Sequence, residues 1–414
     1  MSLSKTLNTI IRAGQSMICT ALCLWLSACI TLSSRHIDVP KHTSPISDAA
    51  SLRQEVNELA APLVDNGITP GLLVGVYTSG TGMRFYGYGI YDKRIDAPPD
   101  AQTVFPIGSL TKLYTGSLVS LFVQRGLLNW DDRLDELLPE GTALSEDAAS
   151  ITLEQLATHT SGLPRQPMTV QTFSYFVRYL FTGESFYDHF DQDYLYSFLS
   201  HFEALGPPGY TYSNFGFALL GHILELRSGQ SLEDLLEENL FTPLALHNTA
   251  LSLSALPDEL HRARGYAGDQ PGFIKRGDPV PDWDFTPIMR ATGAMHATGQ
   301  DILTFAKAHF AAPSAELKNA FADSLRVRLE REDHSFQAID WEQDRIGEQK
   351  IHYAIGFVAG YSSYLGLDMD NQHAVVVLQN SFNWDDKVGH RLLIRLHGAQ
   401  PPSGTMAGLS PGAH

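Results

Sequence analysis

Ser109 and Lys112 stand three residues apart in the run Phe105-Pro106-Ile107-Gly108-Ser109-Leu110-Thr111-Lys112. A serine hydroxyl is a weak nucleophile until a nearby base takes its proton. Lysine can be that base if burial in apolar surroundings lowers its pKa. Leu110, Leu113, Leu118, Val119, Leu121 and Phe122 supply such surroundings along a helix expected over 109–124. Positions three apart share one face of a helix. Gly108 and the helix after it put Ser109 at a helix N-terminus, where unpaired N–H groups can stabilise an oxyanion. The spacing alone is weak, because Ser2-Leu3-Ser4-Lys5 meets it too. A capping serine beside a lysine reaching for solvent would explain it without chemistry.

A second group is Tyr212-Ser213-Asn214, the chain's one Tyr-x-Asn, between Gly206-Pro207-Pro208-Gly209 and an apolar helix beginning at Phe215. A tyrosine near a cationic lysine can titrate low enough to share proton transfer. Asn214 can hydrogen-bond both Lys112 and a substrate amide. A turn with a buried aromatic and a capping asparagine is the plain alternative.

Several other chemistries are excluded. No Gly-x-Ser-x-Gly elbow and no phosphate-binding Walker loop occurs, and the 16 histidines form no His-Glu-x-x-His zinc pattern. No metal and no organic cofactor is expected. The three cysteines, Cys19, Cys23 and Cys29, all fall in the first 29 residues, so the body has no disulfide and no cysteine nucleophile. Of the 414 residues 43% are hydrophobic and 18% charged, which is a globular composition. The formal charge of −17 and the lack of a basic block argue against nucleic acid as a partner.

The elements that must position these residues follow from periodicity. Ser51 to Val64 is an amphipathic helix, and Leu72 to Tyr77 with Met83 to Tyr91 a hairpin around Ser79-Gly80-Thr81-Gly82. Thr152 to Ala157, Phe215 to Arg227, Gln300 to His309 and Asp385 to Leu396 read as helices, and Tyr361 to Leu367 and Ala374 to Gln379 as strands. Residues 260–290 look irregular. The terminal strands are expected to share one antiparallel sheet, with the helical middle inserted as a second lobe. Phe173 to Phe202 holds twelve aromatics in thirty residues. Their spacing suits buried helix faces, and a substrate-contacting cleft wall is the alternative.

The N-terminus reads as a targeting segment. Lys5 and Arg12 precede an apolar stretch from Met17 to Leu26, too short to span a bilayer comfortably. Leu26-Ser27-Ala28-Cys29 then resembles the bacterial lipobox, in which the cysteine is lipidated after cleavage. The expectation is a signal peptide over 1–28, a membrane anchor at Cys29 and a tether over 29–47. Loss of Lys5 and Arg12 takes the formal charge from −17 to −19. Ile30 implies the periplasmic face of the outer membrane. The alternatives are an ordinary signal peptide or an uncleaved anchor helix.

Taken with their contexts, the two chemical segments resemble the serine β-lactamases of class C and their penicillin-binding relatives. Those relatives include DD-carboxypeptidase/endopeptidase enzymes of peptidoglycan and related esterases. The resemblance runs from Leu52 to Leu396. Its further markers are Ile151 to Pro164, Pro243-Leu244 with Asn248-Thr249, Thr292 to Met295 with Thr298 and Asp301, Gly360 to Leu365, and Val375 to Asn380. It implies an α/β (α+β) fold of the β-lactamase/transpeptidase type, an antiparallel sheet flanked by helices, over residues 48–397. A mostly helical lobe would fill about residues 125–290, and 398–414 would be a flexible tail. By the same resemblance Ser109 is the nucleophile, Lys112 and Tyr212 share base and acid duty, and Asn214 positions substrate. The Ser109 and Phe357 amides form the oxyanion hole. The match sets His159 in a structural turn, as a satisfied core histidine.

One motif departs from the family pattern. Where the family has Lys-Thr-Gly or His-x-Gly, this chain has Ala354-Ile355-Gly356. The glycine is kept and the basic residue is missing. His352 is two residues away, on the same face of a regular strand. A hydrogen bond to a charged partner contributes roughly 1.5–3 kcal/mol, so about one to two decades of affinity or rate are at stake. His352 or an arginine such as Arg290 substitutes, or the substrate lacks a carboxylate, as an esterase's would, or the protein binds without efficient turnover. The leading expectation is a penicillin-recognising serine hydrolase acting through an acyl-enzyme on a peptidoglycan peptide or a β-lactam. The alternatives are a carboxylesterase and an envelope binding protein.

Overall fold

The computed structural model describes residues 46 and 48–397, apart from 168, 207–208, 332–334 and 385–386. The expected leader, Cys29, the tether up to residue 45 and the tail lie outside the described residues. Among the described residues no helix is long and apolar enough to cross a membrane.

Continuously buried runs form the central strands of the main sheet. Helix α1 (Ala49–Asp65) leads into β1 (Gly71–Thr78) and β2 (Gly82–Gly89), and β3 is Val104–Pro106. β4 (Thr249–Ala250) and β5 (His296–Thr298) complete a three-stranded sheet ordered β3-β5-β4. The strands β6 (Leu329–Glu330), β7 (Phe336–Gln337), β8 (Glu342–Ile346), β9 (Gln349–Val358), β10 (Tyr361–Asp368) and β11 (His373–Gln379) come late in the chain. The eight-stranded sheet runs β2-β1-β11-β10-β9-β8-β7-β6. β1 lies antiparallel to β11, with Val74 opposite Val377, so early and late strands share one antiparallel sheet as expected.

Both faces of this sheet are covered. Leu72, Val74, Val76, Val375 and Val377 pack with α1 and the terminal helix α8 (Lys387–Leu396). Leu73, Val376, Leu378, Leu365 and Leu367 point the other way, into the larger core. Successive side chains on a strand alternate faces, so a strand buried on both sides must be apolar throughout.

That larger core holds the helices that frame the site. Helix α2 (Thr111–Gln124) is buried from Thr111 to Phe122. The aromatic segment forms α3 (Val170–Thr182) and α4 (Gln192–Leu199), with Tyr179, Phe186, Tyr187 and Phe190 buried. α5 (Asn214–Ser228) is capped by the Ser213 hydroxyl, which accepts from the Gly216 N–H at 2.9 Å, and ends on Gly229 at φ 71°. α6 (Gly299–Phe310) and α7 (Ala315–Ser324) close the core against the sheet.

Candidate active site

The expected α-helix starts two residues late, after a 3₁₀ turn. Residues 108–110 form a 3₁₀ turn and the α-helix begins at Thr111. Ser109 thus sits in a tight turn ahead of α2, half-buried, while Lys112 lies beneath it and wholly buried. The Lys112 Nζ is 3.0 Å from Ser109 Oγ and donates to Thr292 O at 2.6 Å. The Tyr212 hydroxyl donates to the same Oγ at 2.8 Å. Two side chains, one 3 and the other 103 residues away in sequence, therefore converge on the Ser109 oxygen.

Burial sets the protonation of the two partners in opposite senses. It pushes the Lys112 ammonium down to about 7, against a weaker opposing pull from the Asp340 carboxylate. A free amine is thus available at neutral pH. Burial drives the Tyr212 phenol well above its ordinary range, and the facing Asp340 adds to it. The expectation of a low-titrating tyrosine is overturned. Tyr212 holds its proton at neutral pH and can give it rather than take one.

Two glycines let the backbones meet at Ser109. Gly108 adopts φ 52°, and a Cβ there would lie 2.9 Å from the Phe357 backbone nitrogen. A Cβ on Gly356 would lie 2.2 Å from Ile107 O and 3.1 Å from the Ser109 nitrogen. The Ser363 hydroxyl pins this contact by donating to Ile107 O at 2.8 Å. Val358 and Tyr361 close the β9–β10 turn, with Phe357 opposite Ser362. In a two-residue hairpin that makes Phe357 part of a non-hydrogen-bonded pair, its N–H directed off the far edge of β9. β8 pairs with β9 only as far as Tyr353, so it leaves that edge open here.

Asn214 makes a different bond from the one expected. Its Nδ2 donates to Tyr187 OH at 2.6 Å, and Lys112 turns to Thr292 instead. The aromatic segment is therefore buried core that reaches the site through the Tyr187–Asn214 bond.

Neither expected substitute for the missing basic residue serves. His352 shares its strand face with Gly356 but lies four residues away, about 13 Å along an extended strand. It is buried, its Nε2 is 2.8 Å from Gln343 Nε2, and burial pushes its imidazole down to about 4. It carries no positive charge at neutral pH. Arg290 pairs with Glu233. Ala354 leaves only a methyl group where the cation was looked for.

Beneath Tyr212 lies a pair that sequence reasoning did not assemble. The β7–β8 connection, residues 338–341, is buried, and Asp340 adopts φ 53° at its tip. His159 Nδ1 accepts from the Ser213 N–H at 3.1 Å, so Nε2 carries the proton and donates to Asp340 Oδ1 at 3.0 Å. The His159 ring lies 4.5 Å from the Tyr212 ring. The reading of His159 as a satisfied core residue holds, and its partner is the carboxylate that also faces Lys112. An acid within the apolar run Ala338-Ile339-Asp340-Trp341 was the available signal. Among the described residues no group of His, Cys, Asp and Glu could hold a metal ion.

The arrangement can activate a hydroxyl, stabilise an oxyanion with two backbone donors and protonate a leaving atom. Known proteins resemble this chain in sequence and in fold. The β-lactamase family profile matches residues 56–399. Penicillin-binding protein 4 of Amycolatopsis lactamdurans is 31% identical over 253 residues, 58% of this chain and 59% of that protein. A β-lactamase of Yersinia enterocolitica is 27% identical over 297 residues, 69% of this chain and 68% of the relative. The chain thus spans less than two thirds of the first of these relatives. A β-lactamase/D-alanine carboxypeptidase from Pseudomonas syringae superposes with a TM-score of 0.69 at 20% identity, over 85% of this chain and 100% of its own, which shows the fold. With its sheet, its flanking helices and its matched span of 56–399, the chain belongs to the β-lactamase family.

Proposed function

We propose that the chain is a penicillin-recognising serine hydrolase, working through an acyl-enzyme on an amide of a β-lactam or a peptidoglycan peptide. The convergence of Lys112 Nζ and Tyr212 OH on Ser109 Oγ carries this reading. The free amine of Lys112 takes the Ser109 proton as Oγ bonds to the carbonyl carbon. The Ser109 and Phe357 N–H groups hold the oxyanion. As the C–N bond breaks, Tyr212 gives its proton to the leaving nitrogen and recovers one from the Lys112 ammonium. Water, with the same base, then cleaves the ester. The penicillin-binding and β-lactamase relatives support the substrate class.

Mass spectrometry of the intact protein after incubation with benzylpenicillin tests this. The expected result is one added penicillin mass per chain, and the adduct's lifetime separates a lactamase from a peptidase. No adduct and no hydrolysis of the penicillin, with nitrophenyl esters still hydrolysed, would hand the site to a carboxylesterase. The methyl group of Ala354 in place of a cation favours that second reading.

The glycine contact gives a separate expectation. Gly356→Ala forces a Cβ against Ile107 O and Ser363 Oγ, so the turn carrying Ser109 must move. Acylation should fall by about 10²–10³-fold, the usual cost of one lost oxyanion donor. Unchanged acylation kinetics would separate Gly356 from the hole.

An envelope location extends the proposal, because a Cys29-lipidated, exported chain would meet peptidoglycan directly. Globomycin should make an unprocessed precursor accumulate, and unchanged mobility would remove the lipid anchor from the reading.

A further inference from the structure

The site lacks the basic residue looked for ahead of Gly356, and His352 and Arg290 do not replace it. One guanidinium does stand beside the ring of Tyr212. Arg165 follows Pro164, just past the turn that carries His159. Its Cζ lies 4.4 Å from the centre of the Tyr212 ring. Its charge acts on Lys112, Tyr212, Tyr187 and His159 together.

The position is fixed from the backbone. The Asn214 N–H donates to Arg165 O at 3.2 Å, and the Ser213 hydroxyl donates to Pro164 O at 3.0 Å. The segment bearing Arg165 is thus tied to the helix start that bears Tyr212. The side chain itself is exposed, and among the described residues its guanidinium has no carboxylate or hydrogen-bond partner. In a chain with 46 acidic against 29 basic residues, an unpaired arginine on the ring of Tyr212 is a place for an anion from outside. Its hold on the Tyr212 face is weak at an exposed site, whereas a carboxylate offers two parallel charge-assisted bonds.

The chemistry says which anion. Tyr212 serves the leaving nitrogen, so a cation against its ring lies on the leaving-group side. In a bicyclic β-lactam and in a peptide ending in a free amino acid, the carboxylate is attached one carbon from that nitrogen. We propose that Arg165 is the carboxylate-recognising residue of this site, replacing the absent third-motif cation and selecting substrates whose leaving group carries a free carboxylate. The inference rests on the acyl-enzyme reading above and deepens it. It also answers the esterase alternative, because the site then keeps a carboxylate binder on a different element.

A matched pair of substrates tests it without relying on a β-lactam. One is an acyl-thioglycolate thioester, whose leaving group carries a free carboxylate, and the other is its methyl ester. The measured quantity is the ratio of kcat/KM for the two. The wild type should prefer the free acid. Arg165→Ala should cut the ratio by roughly ten- to a hundredfold, and Arg165→Lys should restore part of it. Arg290→Ala should keep the wild-type ratio, since that arginine is spent on Glu233. An unchanged ratio in Arg165→Ala, a wild type that prefers the methyl ester, or turnover of neither thioester would each overturn the assignment. Failure of penicillin to label the wild type is a separate result. With the thioester ratio intact, it would move the substrate away from penicillins and leave Arg165 in its role.

Discussion

Ser109→Ala will abolish the penicillin adduct and lower acylation by on the order of 10⁶-fold, as loss of the nucleophile does in other serine hydrolases. The size follows from the geometry. Ser109 Oγ is the atom on which Lys112 Nζ and Tyr212 OH both converge, and neither of these can take its place. Tyr212 keeps its proton, because burial and Asp340 hold its phenol high. Lys112 is wholly buried beneath the turn, out of reach of a substrate carbonyl. The fold should survive the change. Ser109 is half-exposed and its hydroxyl caps no helix, so the melting temperature should stay near that of the wild type. An intact melting transition with the adduct gone isolates the chemistry. An adduct of wild-type yield in Ser109→Ala would remove this serine from the mechanism. The same variant also separates enzyme from binding protein, because a cellular phenotype that survives it needs no catalysis.

How much of this was legible beforehand differs from residue to residue, for physical reasons. Ser109 and Lys112 were readable because a helical spacing of three is local, and an apolar run around a lysine announces its burial. β1 and β11 were readable because strands covered on both faces must be apolar throughout, as Leu72 to Val76 and Val375 to Leu378 are. β8 and helix α7 were not. The strand Glu342-Gln343-Asp344-Arg345-Ile346 is polar at four of five positions and is held by its pairing with β9 rather than by its own pattern. The same holds for chemistry. Asp340 reaches His159 across 181 residues through a buried connection whose only local sign is one acid among apolar neighbours. Arg165 looks like an ordinary surface arginine until Asn214 and Ser213 are seen to tie its segment to Tyr212. The missing cation could be searched for along the strand, as with His352, but its replacement on another loop is a tertiary fact.

The pH profile of acylation should show Lys112 directly. A rate that needs its free amine rises as pH climbs through about 7 and levels off above. Two charges bear on that limb with opposite signs. Asp340 raises the Lys112 pKa and Arg165 lowers it. Asp340→Asn keeps an oxygen to accept the His159 proton but loses the charge, so the limb should move to lower pH. Arg165→Ala should move it to higher pH. Lys112→Met removes the limb altogether and should lower the plateau by about 10²–10⁴-fold, the range for loss of a general base. Stability supplies an independent check. The unfolded chain keeps its ordinary lysine value of 10.5, while the folded chain titrates near 7. Between those values the unfolded state holds the extra proton, so this residue makes the protein more stable as pH rises across that window. Below about 7 the burial penalty on the ammonium is fully present. Lys112→Met should therefore be less active but more stable than wild type at pH 6, with the gain shrinking towards pH 10. A rate flat from pH 5 to 9 in the wild type, or a loss of stability in Lys112→Met at pH 6, would place the base elsewhere.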